Sequence, residues 1–236
     1  MSTGAAAQPL VPRPGSGPAA PPARRESPRR SRLVDAGIAV LGRQGCASTS
    51  VKEIARQAGV APGLLHYYFD SKDDLLAAVV DELDTQLIGT WSRSLVGIED
   101  PLERIVAGLS ALEAHFARRP ELWRLLFDLD ALCLSTPALR QRCQALRGHL
   151  VGALETEVRQ ALGRLPAYTL APPADLAGTL AASVEGVTMA ALVEGRDPSA
   201  HFRALKVMVL SMVVTAHVTA GQPPPIARLS ELLEPR

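Results

Sequence analysis

The side chains with most chemistry to offer sit in one short stretch, Ser50 to Lys72, which reads SVKEIARQAGVAPGLLHYYFDSK. Lys52, Arg56 and Lys72 are cations, and His66, Tyr67 and Tyr68 are three polar aromatics in a row. Hydroxyl, imidazole and ammonium donors suit the phosphate oxygens of a nucleic acid, while rings pack on sugars and thymine methyls. As core, those aromatics would waste their polar ends. Tyr68 has a second reading as half-buried packing between helices, and Lys52 and Arg56 have one as a solvated face. The signatures of enzymes are missing: no HExxH helix, CxxC pair, phosphate loop or Gly-x-Ser-x-Gly elbow occurs, so no catalytic residues are assigned. Cys133 and Cys143 stand ten apart with no His at ligand spacing, which argues against zinc; neither metal nor cofactor is expected. A redox link between these two thiols stays open.

The elements that must position this stretch are helices. Ser50-Val51-Lys52-Glu53 is a capping box that starts a helix at Val51, and Ala58-Gly59 ends it within two turns. Pro62 suits the first position of the next helix, where its missing N–H costs nothing. Ile54, Ala55 and Ala58 face Leu65 and Phe69 at helical spacing, a helix-turn-helix whose second member would lie in a major groove. The opposite face of that member offers Gly63, Leu64, His66 and Tyr67. Upstream, Leu33, Ala36, Gly37, Val40 and Leu41 form one apolar stripe over 28–44, stopped by Gly45. Downstream, a helix opening near Lys72 carries Leu75, Leu76, Val79, Val80, Leu83 and Leu87. Cap residues before proline at Asp100-Pro101, Thr136-Pro137 and Asp197-Pro198 mark further starts. The spacing predicts helices near 101–118, 120–133, 137–163, 174–194 and 198–220: nine helices, no sheet, an all-α chain. Asn is absent altogether, so no Asn-Gly hairpin can form.

Composition agrees. With 236 residues, 47% apolar and 21% charged, the chain is not disordered as a whole. Residues 1–27, with six prolines among Gly and Ala, read as a disordered tail; 221–236 read as a C-terminal tail with at most a short turn around Leu229. The longest apolar candidate, Val207 to Val214, falls short of the roughly 18 residues of a membrane span, and no apolar segment of a secretion signal precedes it. A soluble, cytoplasmic protein without a membrane partner is expected, in keeping with three unpatterned cysteines. The near-neutral total hides an asymmetry: through residue 72 there are ten basic and four acidic side chains, and the remainder is net acidic. A basic head on an acidic body points to a polyanion partner for the head.

The segment from about Arg30 to Asp84 resembles the tetracycline-repressor (TetR) family of bacterial transcription regulators. The resemblance rests on Leu33-x-x-Ala36, Gly45, Ser50, Ile54-Ala55-x-x-Ala58-Gly59-Val60 and Leu65-His66-Tyr67-Tyr68-Phe69-x-Ser71-Lys72-x-x-Leu75. It implies a three-helix DNA-binding domain over 28–71 and a larger helical ligand-binding and dimerisation domain over 72–220. The implied function is a homodimeric repressor released from a palindromic double-stranded DNA operator by a small-molecule effector. An activator of the same fold is the alternative, with an all-helical enzyme using a body His or Cys a distant third. The implied DNA-binding residues are Ser50, Lys52, Gly63, Leu64, His66, Tyr67, Tyr68 and Lys72, the last as a phosphate clamp. Ala61, before Pro62, replaces the Ser or Thr that the family often has there, so a cap hydroxyl is absent.

For the body, the resemblance implies a pocket between the middle helices. Its candidates are Trp91, His115, Phe116, Trp123, Phe127, Cys133, His149, Glu185 and Met189, each of which has core packing as its other reading. Small residues along 174–194 and the apolar face of 198–220 would pair with a second copy as a four-helix bundle, or pack within the chain. Glu185-Gly186-Val187 and its flanks weakly resemble the betaine-type branch of the family.

Overall fold

The computed structural model describes residues 27–163 and 171–233, which form ten helices and no strand among them. They are α1 (Pro28–Gln44), α2 (Val51–Gln57), α3 (Pro62–Tyr68), α4 (Lys72–Ser94), α5 (Pro101–Arg118), α6 (Pro120–Cys133), α7 (Pro137–Leu162), α8 (Pro173–Glu194), α9 (Ser199–Thr219) and α10 (Ile226–Leu233). The expected disorder of residues 1–26 lies outside the described residues. Caps set several of the starts. Ser27 accepts from the Arg30 amide, and Asp100 takes the amides of Leu102 and Glu103 at 2.8 and 3.1 Å. Thr136 departs from expectation: its hydroxyl makes no cap bond, and its carbonyl takes the Leu139 and Arg140 amides instead.

Two large cores hold most of the buried apolar side chains. The first gathers Leu33, Val40 and Leu41 of α1, Ile54 and Ala55 of α2, Leu65 of α3, Phe69, and Leu75 to Leu83 of α4. The second gathers Leu87 and Trp91 of α4 with α5, α7, α8 and α9. A boundary at residue 71 follows the order of elements but not the packing. Leu122, Leu125 and Leu129 of α6 sit in the first core, while Trp123 of the same helix sits in the second. Both α4 and α6 therefore belong to both cores.

The C-terminal segment is not the tail the composition suggests. Ile226–Leu233 is a helix whose Leu229 and Leu232, one turn apart on one face, pack against Leu102, Leu210 and Val213. Arg228 pins it to the start of α5 through Asp100 (2.6 Å) and Glu103 (2.7 Å). Those acids lie more than a hundred residues earlier, so no local pattern announces the pairing. A second ion pair holds the body: Arg104 meets Glu157 through Nε (2.6 Å) and Nη2 (2.8 Å), with Glu157 only 3% exposed. The remaining guanidinium nitrogen of Arg104 donates to the Leu95 and Ile98 carbonyls, closing the end of α4.

Trp91, expected among the pocket residues, belongs to the core. Its six-membered ring presses against Gly108 of α5, where an added Cβ would stand 2.3 Å from the ring. Only a glycine lets the two helices approach this closely. Gly108→Ala should therefore destabilise the protein by about 3 kcal/mol through overpacking. Gly152→Ala, on an exposed stretch of α7 with open space around the glycine, should be neutral or slightly stabilising. Thermal unfolding of the two variants checks the contrast.

Candidate nucleic-acid interface and ligand cavity

The loop between α1 and α2 decides where the helix-turn-helix points. Gly45 ends α1 at a φ of +83°, and Thr49, buried, donates its hydroxyl to the Gly45 carbonyl at 2.8 Å. The Lys72 ammonium then reaches back to the Cys46 and Thr49 carbonyls, both at 2.8 Å. This is a different task from the phosphate clamp that the family resemblance implies. Two of its three donors are spent on the loop, and the carboxylates of Asp70, Asp73 and Asp74 crowd the same helix start. Lys72 thus fixes the entry to α2.

There Ser50 and Glu53 complete the capping box. The Glu53 amide donates to Ser50 Oγ (3.3 Å), and the Ser50 amide donates to Glu53 Oε2 (2.9 Å). The Ser50 hydroxyl also donates to that carboxylate, so the serine is first of all a cap. These bonds hold the Glu53 carboxyl below its ordinary range. Gly59, at φ +68°, turns the chain, and α3 follows with Ala61 making no side-chain cap bond, as its missing hydroxyl requires.

Residue by residue, α3 has two faces. Leu65 and Phe69 are 1% exposed and lock onto Ile54 and Ala55. Gly63, His66 and Tyr67 face outward, Tyr67 being 49% exposed, and Leu64 is half-buried. Lys52 and Arg56 of α2 are exposed beside them. Tyr68 takes its second reading in part: it is half-buried against the first core, with its ring edge-on to Tyr67 at 5.1 Å. Arg30 covers the far side of the motif, stacked 4.9 Å over the Phe69 ring. The outcome is an exposed strip of donors and small residues on a rigid backing.

In the body, a cavity of about 40 Å³ opens between α4, α5, α6, α7 and α8. That is room for about three water molecules. Leu126, Leu129, Leu146 and Leu150 supply apolar wall, and Trp123 and Phe127 the aromatics. At one end Arg147 holds both Glu185 oxygens at 2.7 Å and reaches Asp130 at 3.3 Å. Burial pushes the Asp130 carboxyl above its ordinary range, Arg147 opposing and Glu185 reinforcing the shift.

Of the nine expected pocket residues, Trp123, Phe127 and Glu185 line this cavity, and Cys133 lies beside its Asp130 and Cys143. The others lie elsewhere. Trp91 is packed on Gly108, and Phe116 is buried edge-on to Trp123. His115 is outside the wall and accepts a hydrogen bond from the Trp123 indole N–H at 3.1 Å. His149 is on the exposed side of α7, 2.6 Å from Asp84, and Met189 is 40% exposed on α8. The leucines, Asp130, Cys143 and Arg147 escaped sequence reading for two reasons. Cavity leucines have the spacing of core leucines, and the polar groups meet only where helices cross.

α6, one wall of the cavity, also touches the end of α1 and the loop that follows it. Asp128 of α6 accepts from the Cys46 amide at 3.2 Å, and Arg124 of α6 donates to the Gly42 carbonyl. Movement of α6 is thereby felt at the end of α1.

Known proteins share these features. The sequence profile described as bacterial regulatory proteins, tetR family, matches residues 33–79. The HTH-type transcriptional regulator BetI of Brucella anthropi is 38% identical over 131 residues, covering 54% of this chain and 68% of that protein. BetI of Rhizobium meliloti is 42% identical over 82 residues, but that match spans only 35% of this chain and 40% of the relative. Among solved structures, a transcriptional regulator from Rhodococcus superposes with a TM-score of 0.68 at 22% identity, covering 79% of this chain and 96% of that one. The transcriptional regulator FadR of Bacillus subtilis, solved in complex with stearoyl-CoA, gives 0.64 at 19% identity, over 76% and 96%. At such identities the two structures speak for the fold.

The His115 to Trp123 bond has a consequence for pH. Its Nδ1 accepts, so the ring is neutral with its proton on Nε2. Burial, then Arg118 and Arg119, hold its pKa below 6.5. The unfolded chain therefore takes up this proton first as pH falls, so the contribution is constant above pH 6.5 and lost progressively below it. Denaturant titrations at pH 7 and pH 5 should show a loss of stability that is smaller in His115→Gln.

Proposed function

This chain belongs to the TetR family of bacterial regulatory proteins, and from that premise we propose that it is a homodimeric repressor that a small molecule releases from a near-palindromic operator. It is a DNA-binding transcriptional regulator, as its relatives, the HTH-type transcriptional regulators BetI, are by name. The single observation that carries the finer reading is the two-faced α3, anchored by Leu65 and by Phe69 just after it, with Gly63, His66 and Tyr67 turned outward. Such a helix can lie in a major groove with its small residues letting the backbone approach and its donors meeting base edges and phosphates. Lys52 and Arg56 extend the basic strip from α2.

A second copy is supported by α8 and α9. Neither holds an unbroken apolar run of membrane-span length, yet by length and average composition both are apolar enough to cross a membrane. Each turns one face into its own core, through Leu180 and Val184 on α8 and Phe202 and Leu205 on α9. Their other faces leave Met189, Val193, Val207, Met208 and Val218 exposed. An apolar surface on two adjacent helices is what a two-fold four-helix bundle buries. The pair would set two recognition helices about 34–36 Å apart, one turn of duplex. A cytoplasmic site of action follows from that role.

The effector would enter where α6 meets α7. The cavity suits a small, largely apolar molecule with a polar end directed to Arg147 and Glu185. Anything much larger than a few waters must part the helices. Parting them shifts α6 and α4, and the loop held by Asp128 and Lys72 carries the shift to α2 and α3. Ligand affinity is then higher for the spread dimer, which is how it weakens operator binding.

Fluorescence anisotropy with the DNA upstream of the gene tests DNA reading. Log affinity should fall linearly with log salt, and Lys52→Ala should reduce that slope by about one. Tyr67→Ala should cost specific binding about tenfold while leaving non-specific binding intact. Lys72→Ala should instead lower stability by about 2 kcal/mol through its lost charged hydrogen bonds. Salt-independent binding, or specific binding indifferent to Tyr67, contradicts the reading. For the second copy, Met208→Glu should halve the mass seen by light scattering and abolish tight operator binding.

A further inference from the structure

We propose that Asp130, Cys133 and Cys143 form a binding site for a thiophilic divalent cation of the zinc class at the wall of the cavity. Asp130 and Cys133 are three residues apart near the end of α6, and Cys143 faces them from α7; their ligand atoms all lie within 4.8 Å of one another. A zinc-like ion with bonds of about 2.0–2.3 Å draws such atoms to roughly 3.5–3.8 Å apart. Small side-chain adjustments close that gap.

The donor set is chemically apt. Two sulfurs select soft metals over magnesium or calcium, and a carboxylate completes a three-ligand site with one position open. Asp130 and Cys143 line the cavity, which has space for a water as fourth ligand. Cys133 is half-buried and Cys143 buried, so an ion reaches the site past Cys133. Arg147, 3.3 Å from Asp130, does not lose its partner when the carboxylate turns to an ion, because Glu185 holds it at 2.7 Å. As each sulfur–metal bond forms, the thiol gives its proton to solvent; no electron changes hands. Sequence spacing argued against zinc because no His stands at ligand spacing from the two cysteines; the crossing of α6 and α7 instead brings Cys143 to Asp130 and Cys133. The bound ion would tie these helices together beside the cavity.

The site is tested without DNA, so its failure leaves the regulatory reading standing. Full-length protein, freed of metal and kept reduced with a non-thiol reductant, is titrated with cobalt(II) in the absence of oxygen. A cobalt–thiolate charge-transfer band should grow, saturate at one ion per chain and vanish on adding zinc. Cys133→Ser and Cys143→Ser should each lose the band, and Asp130→Asn should weaken binding at least tenfold. Cys46→Ser should leave it unchanged, since Cys46 lies in the α1–α2 loop. Circular dichroism confirms folding; should Cys143→Ser unfold, the half-exposed Cys133→Ser carries the test. The proposal is overturned if reduced wild-type protein gives no band, if the band survives in Cys133→Ser, or if the two thiols only form a disulfide and take up no cobalt after reduction.

Discussion

Two hydrophobic cores share one continuous helix, and the behaviour of the molecule follows from that constraint. α4 runs for 23 residues, about 34 Å. Its first half buries Leu75, Leu76, Val79, Val80 and Leu83 among α1, α2 and α3, while Leu87 and Trp91 are buried in the body. Side chains packed at the density of a protein interior cannot slide past one another by small amounts at little cost. The DNA-side helices therefore move with α4 or not at all. α6 repeats the arrangement, with Leu125 and Leu129 in one core and Trp123 in the other.

Function rests on what these shared helices carry on different faces. Lys72 of α4 and Asp128 of α6 both hold the Cys46 to Thr49 loop, and that loop leads into the capping box where α2 begins. Other residues of α4 and α6 wall a cavity whose polar corner is Asp130, Arg147 and Glu185. Contiguous contacts between packed elements, with no flexible linker between, thus join the cavity to α2 and α3. The coupling needs two stable arrangements of the shared helices, which the proposed dimer would provide as two alternative spreads.

Much of this was legible in the amino-acid sequence, and the reasons it was legible are local. Proline after a break and glycine at helix ends place most boundaries within a residue, because those residues act on their own backbone. The helix-turn-helix was legible because a capping box, a turn glycine and a full set of spaced apolar residues fall within one short stretch. What escaped was set by distant partners. The helix Ile226–Leu233 looked like a tail because its stabilising contacts, from Arg228 to Asp100 and Glu103, come from the start of α5. Lys72 looked free for phosphate because its carbonyl acceptors become neighbours only after the loop closes. In the cavity, rare aromatic and His residues drew attention in the sequence, yet Trp91 and Phe116 are core and His149 lies outside. The cavity is walled instead by common leucines at crossings that no periodicity reveals.

The central claim, that the outward face of α3 reads duplex DNA from the major groove, is tested most directly by dimethyl sulfate protection on the upstream DNA. That reagent methylates guanine N7, an atom on the major-groove edge. The account predicts two protected patches of guanines, related by symmetry and about one helical turn apart, that disappear together when the protein is removed by high salt. Uniform methylation with and without protein, at concentrations where it binds, would contradict the account.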